Sequence, residues 1–106
     1  MSRKITLESG SEVKNVEDTG DCDPKSYDSW KQYYVGESEC EWPEHCRIIR
    51  CMEKAEHGAH VKCKGKRGVW ILPMCPTHNN PYNEEWMTAN AGTTVVEVKK
   101  IDSICG

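Results

Sequence analysis

Cys75 and His78 are separated by two residues at the end of an apolar run, in the stretch WILPMCPTHNN at 70–80. Thiolate and imidazole are the donors that tetrahedral zinc prefers, and a two-residue gap lets one reversing turn present both to a single ion. The Cys-x-x-His spacing therefore predicts half of a metal site. The apolar run before it predicts a buried strand that ends where the two donors begin.

A second pair of donors, Cys46 and Cys51, is separated by four residues, which is within the range of a zinc knuckle. Cys40 is separated from Cys46 by five residues and fits a knuckle less well. We therefore predict a Zn²⁺ site formed by Cys46, Cys51, Cys75 and His78. Four protein ligands close a tetrahedral site to substrate, so the expected role of the metal is structural.

The other potential donors have separate expectations. His60 is an alternate ligand, a partner of a ligand or a catalytic base, although a structural histidine is the commoner case. Cys63, beside lysines near a predicted turn, is expected to be a partly exposed thiol and is a further alternate ligand, as is Cys40. His45 is a fallback ligand, and His57 is expected in solvent. Cys22, Cys40 and Cys105 could pair in an oxidising setting, but their spacing fixes no partners.

The residues between the two donor pairs predict a β-hairpin, with strands at 59–63 and 69–74 and a turn near 64–66. A knuckle, a hairpin and a second knuckle at the start of a short helix form the layout of a treble-clef zinc site. The predicted fold class is accordingly α+β: a small treble-clef-like zinc domain with a central β-hairpin, short helices and a C-terminal strand.

Four further predictions follow from local patterns. Residues 26–36 predict a short helix, capped by Ser26 or Asp28 and ended by Gly36. Its aromatic residues share one face, which is expected to pack on the core: Trp30, Tyr33 and Tyr34. Weak alternation predicts an N-terminal hairpin at 3–16, turn-forming residues predict a loop at 17–25, and β-branched residues predict a strand at 93–101.

Length and composition predict a single domain over residues 1–106, with an N-terminal hairpin and loop region at 1–25 and a metal-binding core at 40–80. Only 37% of the residues are hydrophobic, there is no Phe, and the mean hydropathy is −0.75. A core of this size and composition needs an added cross-link. Seven cysteines could provide one through metal ligation.

The N-terminal residues MSRKITLESG lack the apolar core of a secretory signal, and no stretch has the roughly 20 apolar residues of a spanning helix. We therefore expect a cytoplasmic protein without a membrane association, in which thiols stay reduced. The odd number of cysteines also disfavours a fully paired disulfide framework. Both points favour metal ligation.

Basic residues concentrate in the middle of the chain. Residues 47–67 carry seven basic side chains against Glu53 and Glu56, a net charge of +5 on a chain whose net charge is −3. A solvated hairpin tip is the common reason for such a segment, and attraction of an anionic partner is the alternative. The residues that could contact nucleic acid are Lys62, Lys64, Lys66 and Arg67.

Three stretches, CRIIRC, GAHV and WILPMCPTHNN, together resemble a group of short, mostly uncharacterised bacterial proteins. Their pattern is Cys-x4-Cys, then Gly-Ala-His-Val, then Leu-Pro-x-Cys-x-x-His-Asn. The match covers residues 46–80, about a third of the chain. This resemblance implies zinc binding and names no activity. We expect a zinc-binding interaction module with an unknown macromolecular partner.

The same region is more distantly similar to HNH endonucleases, which place a catalytic histidine on the first strand of a hairpin framed by zinc knuckles. His60 would be that histidine, and the chain would be an HNH-like nuclease or nucleic-acid-binding protein. The sequence departs from the HNH pattern after the second knuckle. Asn79 and Asn80 stand where a further metal-binding histidine is expected, and asparagine after a turn is commonly a helix cap.

Overall fold

The computed structural model describes residues 3–16, 24, 26–80 and 82–98. The described residues form one helix and six strands in an antiparallel sheet of order β1-β6-β4-β3-β2-β5, which confirms the predicted α+β class. The expectations for residues 17–23, 25 and 99–106, with Cys22 and Cys105, lie outside the described residues. The elements are β1 (Lys4–Thr6), β2 (Glu12–Asn15), α1 (Trp30–Ser38), β3 (His57–Cys63), β4 (Val69–Met74), β5 (Met87–Thr88) and β6 (Thr94–Val98).

The predicted central hairpin is formed by β3 and β4. The two strands pair from His57 opposite Met74 to Val61 opposite Trp70. The turn between them is closed by the Lys66 N–H, which donates to the carbonyl of Cys63 at 2.9 Å. This part of the fold follows from local sequence, because alternating apolar residues and a glycine-containing turn lie close together in the chain.

The sheet curls, because each edge strand is joined by a short connection to a strand near the opposite edge. β1 is followed by β2, and β5 is followed by β6. Five residues lie between Thr6 and Glu12 and five between Thr88 and Thr94, so the β1–β6 and β2–β5 ladders share one register. Backbone hydrogen bonds of 2.8–2.9 Å also join the segment between β1 and β2 to the segment between β5 and β6. These two bent stretches and the central hairpin together form a barrel-like wall.

The inner side of this wall contains the main core. Alternate residues of each strand point inward, and Trp70, Leu72 and Met74 of β4 are fully buried there. The other buried members come from the remaining strands, from residues that directly follow strands and from the loop before β3: Leu7, Val13, Cys46, Ile48, Ala59, Val61, Cys63, Cys75, Met87, Ala89 and Val95. Three of the described cysteines therefore lie in the inner core.

Helix α1 covers part of the outer side of the sheet. Tyr33 and Tyr34 pack there on Ile71 and Val96, which confirms the predicted aromatic face. Each tyrosine hydroxyl donates to a carbonyl of β6 at 2.9 Å, so the polar ends of the two rings are satisfied while their rings are buried. Ser29 caps the helix, its hydroxyl accepting from a backbone N–H at 3.1 Å, in place of the predicted Ser26 or Asp28.

Gly36 does not end the helix as predicted. The helix continues to Ser38, and Glu39 forms the C-cap with a φ of 61°. Gly36 instead provides space for Tyr27, because a Cβ at this position would lie 2.7 Å from the Tyr27 hydroxyl oxygen and 2.8 Å from Cζ. A close approach of a side chain, rather than a backbone conformation, accounts for this glycine.

Two predicted local elements are not formed. β1 and β2 exist, but they do not pair with each other as an N-terminal hairpin, because β1 pairs with β6 and β2 pairs with β3 and β5. The short helix expected after Cys75 is also not formed in described residues 76–80 and 82–86. There the side chains of Asn80 and Asn83 accept hydrogen bonds from N–H groups two residues on, and such bonds compete with helix formation.

The length of α1 determines whether it could cross a membrane. At nine residues it is far too short to cross a bilayer, and no other helix is present in the described part of the chain to do so.

The space beside Gly36 gives a test of helix packing. Gly36→Ala should lower the free energy of unfolding by about 1–3 kcal/mol, because the new methyl group overpacks against Tyr27. Tyr27 cannot move freely, since its hydroxyl donates to Glu37 at 2.7 Å and its ring contacts Tyr33 edge-on. Urea unfolding measures the change.

Gln32→Ala, at an exposed position of the same helix, is the matched control and should change the free energy of unfolding by less than about 0.5 kcal/mol. Alanine is a better helix former than glycine by about 1 kcal/mol. A Gly36→Ala variant that is more stable than wild type by this amount would show that the Tyr27 contact does not constrain the helix.

Candidate metal centre

Four side chains converge at the edge of the inner core. Cys46 and Cys51 come from the loop between α1 and β3, Cys75 directly follows β4, and His78 lies in the next turn. Their ligand atoms all lie within 4.8 Å of one another. Within the described ranges, no other group of three or more Cys, His, Asp or Glu side chains is arranged in this way. The structure thus brings together the four residues that sequence spacing selected.

Three of the distances between these atoms are close to the edge length of a tetrahedron around one ion. The Sγ atoms of Cys51 and Cys75 are 3.7 Å apart, and His78 Nδ1 lies 3.7 Å from Cys46 Sγ and 3.2 Å from Cys75 Sγ. Zinc–sulfur bonds of about 2.3 Å in a tetrahedron place two sulfurs about 3.8 Å apart. A disulfide needs about 2.05 Å, so the cysteines are free thiols placed for a shared ligand.

Backbone hydrogen bonds position the first pair of donors. The N–H of Cys51 donates to the carbonyl of Ile48 at 3.1 Å, and Arg50 adopts a φ of 63°, so a tight turn precedes Cys51. The N–H of Cys46 donates to the carbonyl of Glu53 at 2.8 Å, which closes the loop around the two thiols. This loop has little regular secondary structure, so the geometry of the donors depends on these few bonds.

The second pair is positioned by β4 and by two asparagines. A turn follows Cys75, closed by the Asn79 N–H donating to the Cys75 carbonyl at 2.9 Å. The carbonyl of His78 accepts from the side-chain amides of Asn15 at 2.7 Å and Asn83 at 2.9 Å. These two bonds fix the backbone that carries the imidazole. Sequence reasoning missed both, and the Asn15 contact spans 63 residues with no local signal.

Burial determines the protonation of the thiols before a metal binds. Loss of water on burial raises the pKa of Cys46. The same effect, together with the neighbouring cysteines, raises the pKa of Cys75 to about 12. Both therefore hold their protons at neutral pH in the metal-free chain. A metal ion that bound here would have to displace these protons, so its binding would weaken as the pH falls.

Glu53 lies beside the cluster without belonging to it. One carboxylate oxygen is 3.6 Å from Cys75 Sγ, and the other accepts from the Thr77 hydroxyl at 3.3 Å. The same residue accepts the N–H of Cys46 through its carbonyl, so it links both donor pairs. Nothing in the local sequence distinguishes Glu53 from the other acidic residues of this loop.

His60, the alternate ligand and the candidate base, lies on the other side of the sheet. Its imidazole packs edge-on against Trp30 of α1, with ring centroids 4.5 Å apart. Burial lowers the pKa of His60 to about 4, so the ring is neutral at physiological pH. It does not join the four clustered donors, and no second cluster of potential ligands surrounds it among the described residues.

The remaining candidates are also away from the cluster. Cys40 packs in the outer group under α1 and contacts the carbonyl of Ser38, and Cys63 is buried in the inner core. The expectation that Cys63 is partly exposed is wrong, because alternation along β3 turns its side chain inward, and burial raises its pKa to about 11. His57 is exposed as expected. The backbone of His45 pairs with that of Lys54 in an isolated antiparallel β-bridge.

Comparisons of the chain with models of known protein families, with curated proteins and with solved structures give no match. Its site is therefore interpreted from its own residues.

The neutral, half-buried imidazole of His60 predicts a pH dependence. The ring binds a proton at about pH 6.5 in the unfolded chain and only near pH 4 in the folded protein, so the unfolded state binds more protons between these values. This contribution to stability is complete above about pH 6.5 and decreases as the pH falls toward 4. Its full size is about 3 kcal/mol.

Unfolding free energies of wild type and His60→Gln, measured by urea at pH 7 and pH 4.5, isolate this effect from that of the metal ligands. The loss of stability on acidification should be smaller in His60→Gln by about 2–3 kcal/mol. His57→Gln, at an exposed position of the same strand, should lose as much as wild type. An equal loss in wild type and His60→Gln would contradict the assignment.

Proposed function

We propose that this protein is a small zinc-binding domain whose metal is structural. The observation that supports the proposal is the set of three thiols and one imidazole at tetrahedral separations: Cys46, Cys51, Cys75 and His78. Thiolate and imidazole donors select zinc over the oxygen-binding cations magnesium and calcium. Four protein donors complete the usual coordination number of structural zinc and leave no position for a substrate.

Such an ion would hold together parts of the chain that otherwise have few regular contacts. Two donors belong to the loop before β3 and two to the turn after β4, so coordination would join this loop to the end of the central hairpin. Binding energy at a site that exists only in the folded state adds directly to folding. This would offset the small hydrophobic content of the chain. Reduced thiols of this kind are typical of the cytoplasm, which we propose as the location.

The order of knuckle, hairpin and Cys-x-x-His turn supports a relationship to treble-clef domains and to the short bacterial proteins that share the motif. The described turn after Cys75, where a treble clef has a helix, is the main departure. We propose an interaction role because two apolar residues beside the cluster face solvent. Ile49 is 46% exposed and Met52 is 73% exposed, although large apolar side chains usually contribute to a core.

The nuclease alternative receives no support from the described contacts. A catalytic base acts on a proton that it can reach, and it needs a pKa near the working pH. His60 instead lies against Trp30 with a depressed pKa. It belongs to no group of three or more potential metal ligands in the described ranges.

Removal of the metal tests the proposal. Prolonged treatment with a chelator at neutral pH should unfold the domain, observed as loss of the cooperative thermal transition. Cys46→Ser should lose the metal and show the same instability without chelator. Cys40→Ser is the matched control, because Cys40 is outside the cluster and a serine can keep its contact with the Ser38 carbonyl. This variant should keep its metal and its transition.

A chain that retains its melting profile after chelation would refute a structural metal. Equal metal content in wild type and Cys46→Ser would refute the ligand assignment.

A further inference from the structure

Three lysines and one tryptophan share the outer side of β2, β3 and β5. Lys14 faces Lys62 across the β2–β3 ladder. Trp86 immediately precedes β5, and continuing the β2–β5 register by one residue places it opposite Lys14. Their neighbours Val13, Cys63 and Met87 are buried in the inner core, so these side chains point outward. Lys64 directly follows β3, two positions after Lys62, and its N–H donates to the carbonyl of Glu12 on β2 at 2.9 Å. We call the four residues Trp86, Lys14, Lys62 and Lys64 the Trp86–lysine face.

The charges of this face are incompletely paired. Lys14 and Lys62 are opposite each other, an arrangement of like charges that destabilises a sheet. Within the described part of the chain, only Lys64 of the three lysines forms an ion pair, with Glu12 at 3.6 Å. Both partners are exposed, with 61% and 38% of their side chains accessible, so this pair is readily exchanged for another.

Trp86 presents an aromatic surface in the middle of these charges. It is 41% exposed, and the ammonium groups of Lys14 and Lys64 lie 5.9 Å and 5.7 Å from its ring centroid. These distances are near the limit of about 6 Å for a cation–π contact, so the lysines are weakly held and can turn toward another partner. Helix α1 packs on β3, β4 and β6 and has no comparable packing on β2 or β5.

We propose that the Trp86–lysine face binds single-stranded nucleic acid. A base stacks on the indole of Trp86, and the phosphates on either side of it contact Lys14, Lys62 and Lys64. An exposed aromatic ring among lysines complements a chain that alternates flat bases with anionic groups, and such platforms accept any base sequence. An acidic peptide would use the lysines but would have no need of the ring.

This face differs from the contact surface expected from sequence. Lys62 and Lys64 belong to both, whereas Lys66 and Arg67 lie in the β3–β4 turn. Lys14 and Trp86 are added only by strand pairing. The proposal does not depend on the metal assignment, because none of the four residues of the Trp86–lysine face is a proposed metal ligand. Each variant is tested in the full chain as purified.

Fluorescence anisotropy with a labelled twelve-nucleotide oligothymidylate tests the proposal. Wild type should show saturable binding that weakens as salt is added. Trp86→Ala should weaken binding by about tenfold or more, and Trp86→Phe, which keeps an aromatic ring, should bind nearly as well as wild type. Each variant must match wild type in its unfolding midpoint, so that a loss of binding reports the face itself.

Charge variants test the phosphate contacts. Lys14→Gln with Lys62→Gln should reduce the slope of log affinity against log salt by about 1.4, since each single-strand contact contributes about 0.7. Lys31→Gln is the matched control, because Lys31 lies 5.2 Å from the ring of Trp42 at a separate place on α1. It should leave the slope unchanged. Glu12→Gln should strengthen binding, because it frees Lys64.

Several outcomes would overturn the proposal. They are absent binding at low salt, wild-type affinity in Trp86→Ala, and equal losses from Lys31→Gln and the Lys14/Lys62 double variant. Competition by polyglutamate as effective as that by unlabelled oligothymidylate would assign the face to acidic polypeptides instead.

Discussion

The convergence of four potential donor side chains is the constraint that joins the loop before β3 to the end of β4. Cys46 and Cys51 can approach Cys75 and His78 only if the loop before β3 folds back on the end of β4. The ligand atoms come within 4.8 Å of one another, while burial keeps thiols protonated without an ion. A bound metal ion would relieve this arrangement, because it would replace buried thiol protons with bonds that join the two parts of the chain.

The curled sheet separates three kinds of surface. Its inner side contains the main core and, at one edge, the donor cluster. Its outer side is covered by α1 over β3, β4 and β6, where His60 is a packing residue beside Trp30. The rest of the outer side carries the Trp86–lysine face. His60, which sequence suggested as a base, and Lys62 and Lys64, which it suggested as contact residues, are thus on the same side, with different environments.

Sequence predicted the features that depend on nearby residues. The β3–β4 hairpin, the aromatic face of α1 and the grouping of the four donors each follow from short spacings or alternation. It failed where a partner lies far along the chain. β1 pairs with β6 rather than with its neighbour, and Asn15 supports His78 across 63 residues. Pairing over such separations is decided by the packing of the whole sheet, which local propensity does not contain.

X-ray absorption at the zinc edge tests the central claim most directly, on the full chain purified without added metal. The account predicts one equivalent of zinc with three sulfur neighbours at about 2.3 Å and one nitrogen at about 2.0–2.1 Å. These neighbours are the thiolates of Cys46, Cys51 and Cys75 and the imidazole of His78. A protein without zinc whose cysteines are joined as disulfides, or zinc with fewer than three sulfur neighbours, would contradict it.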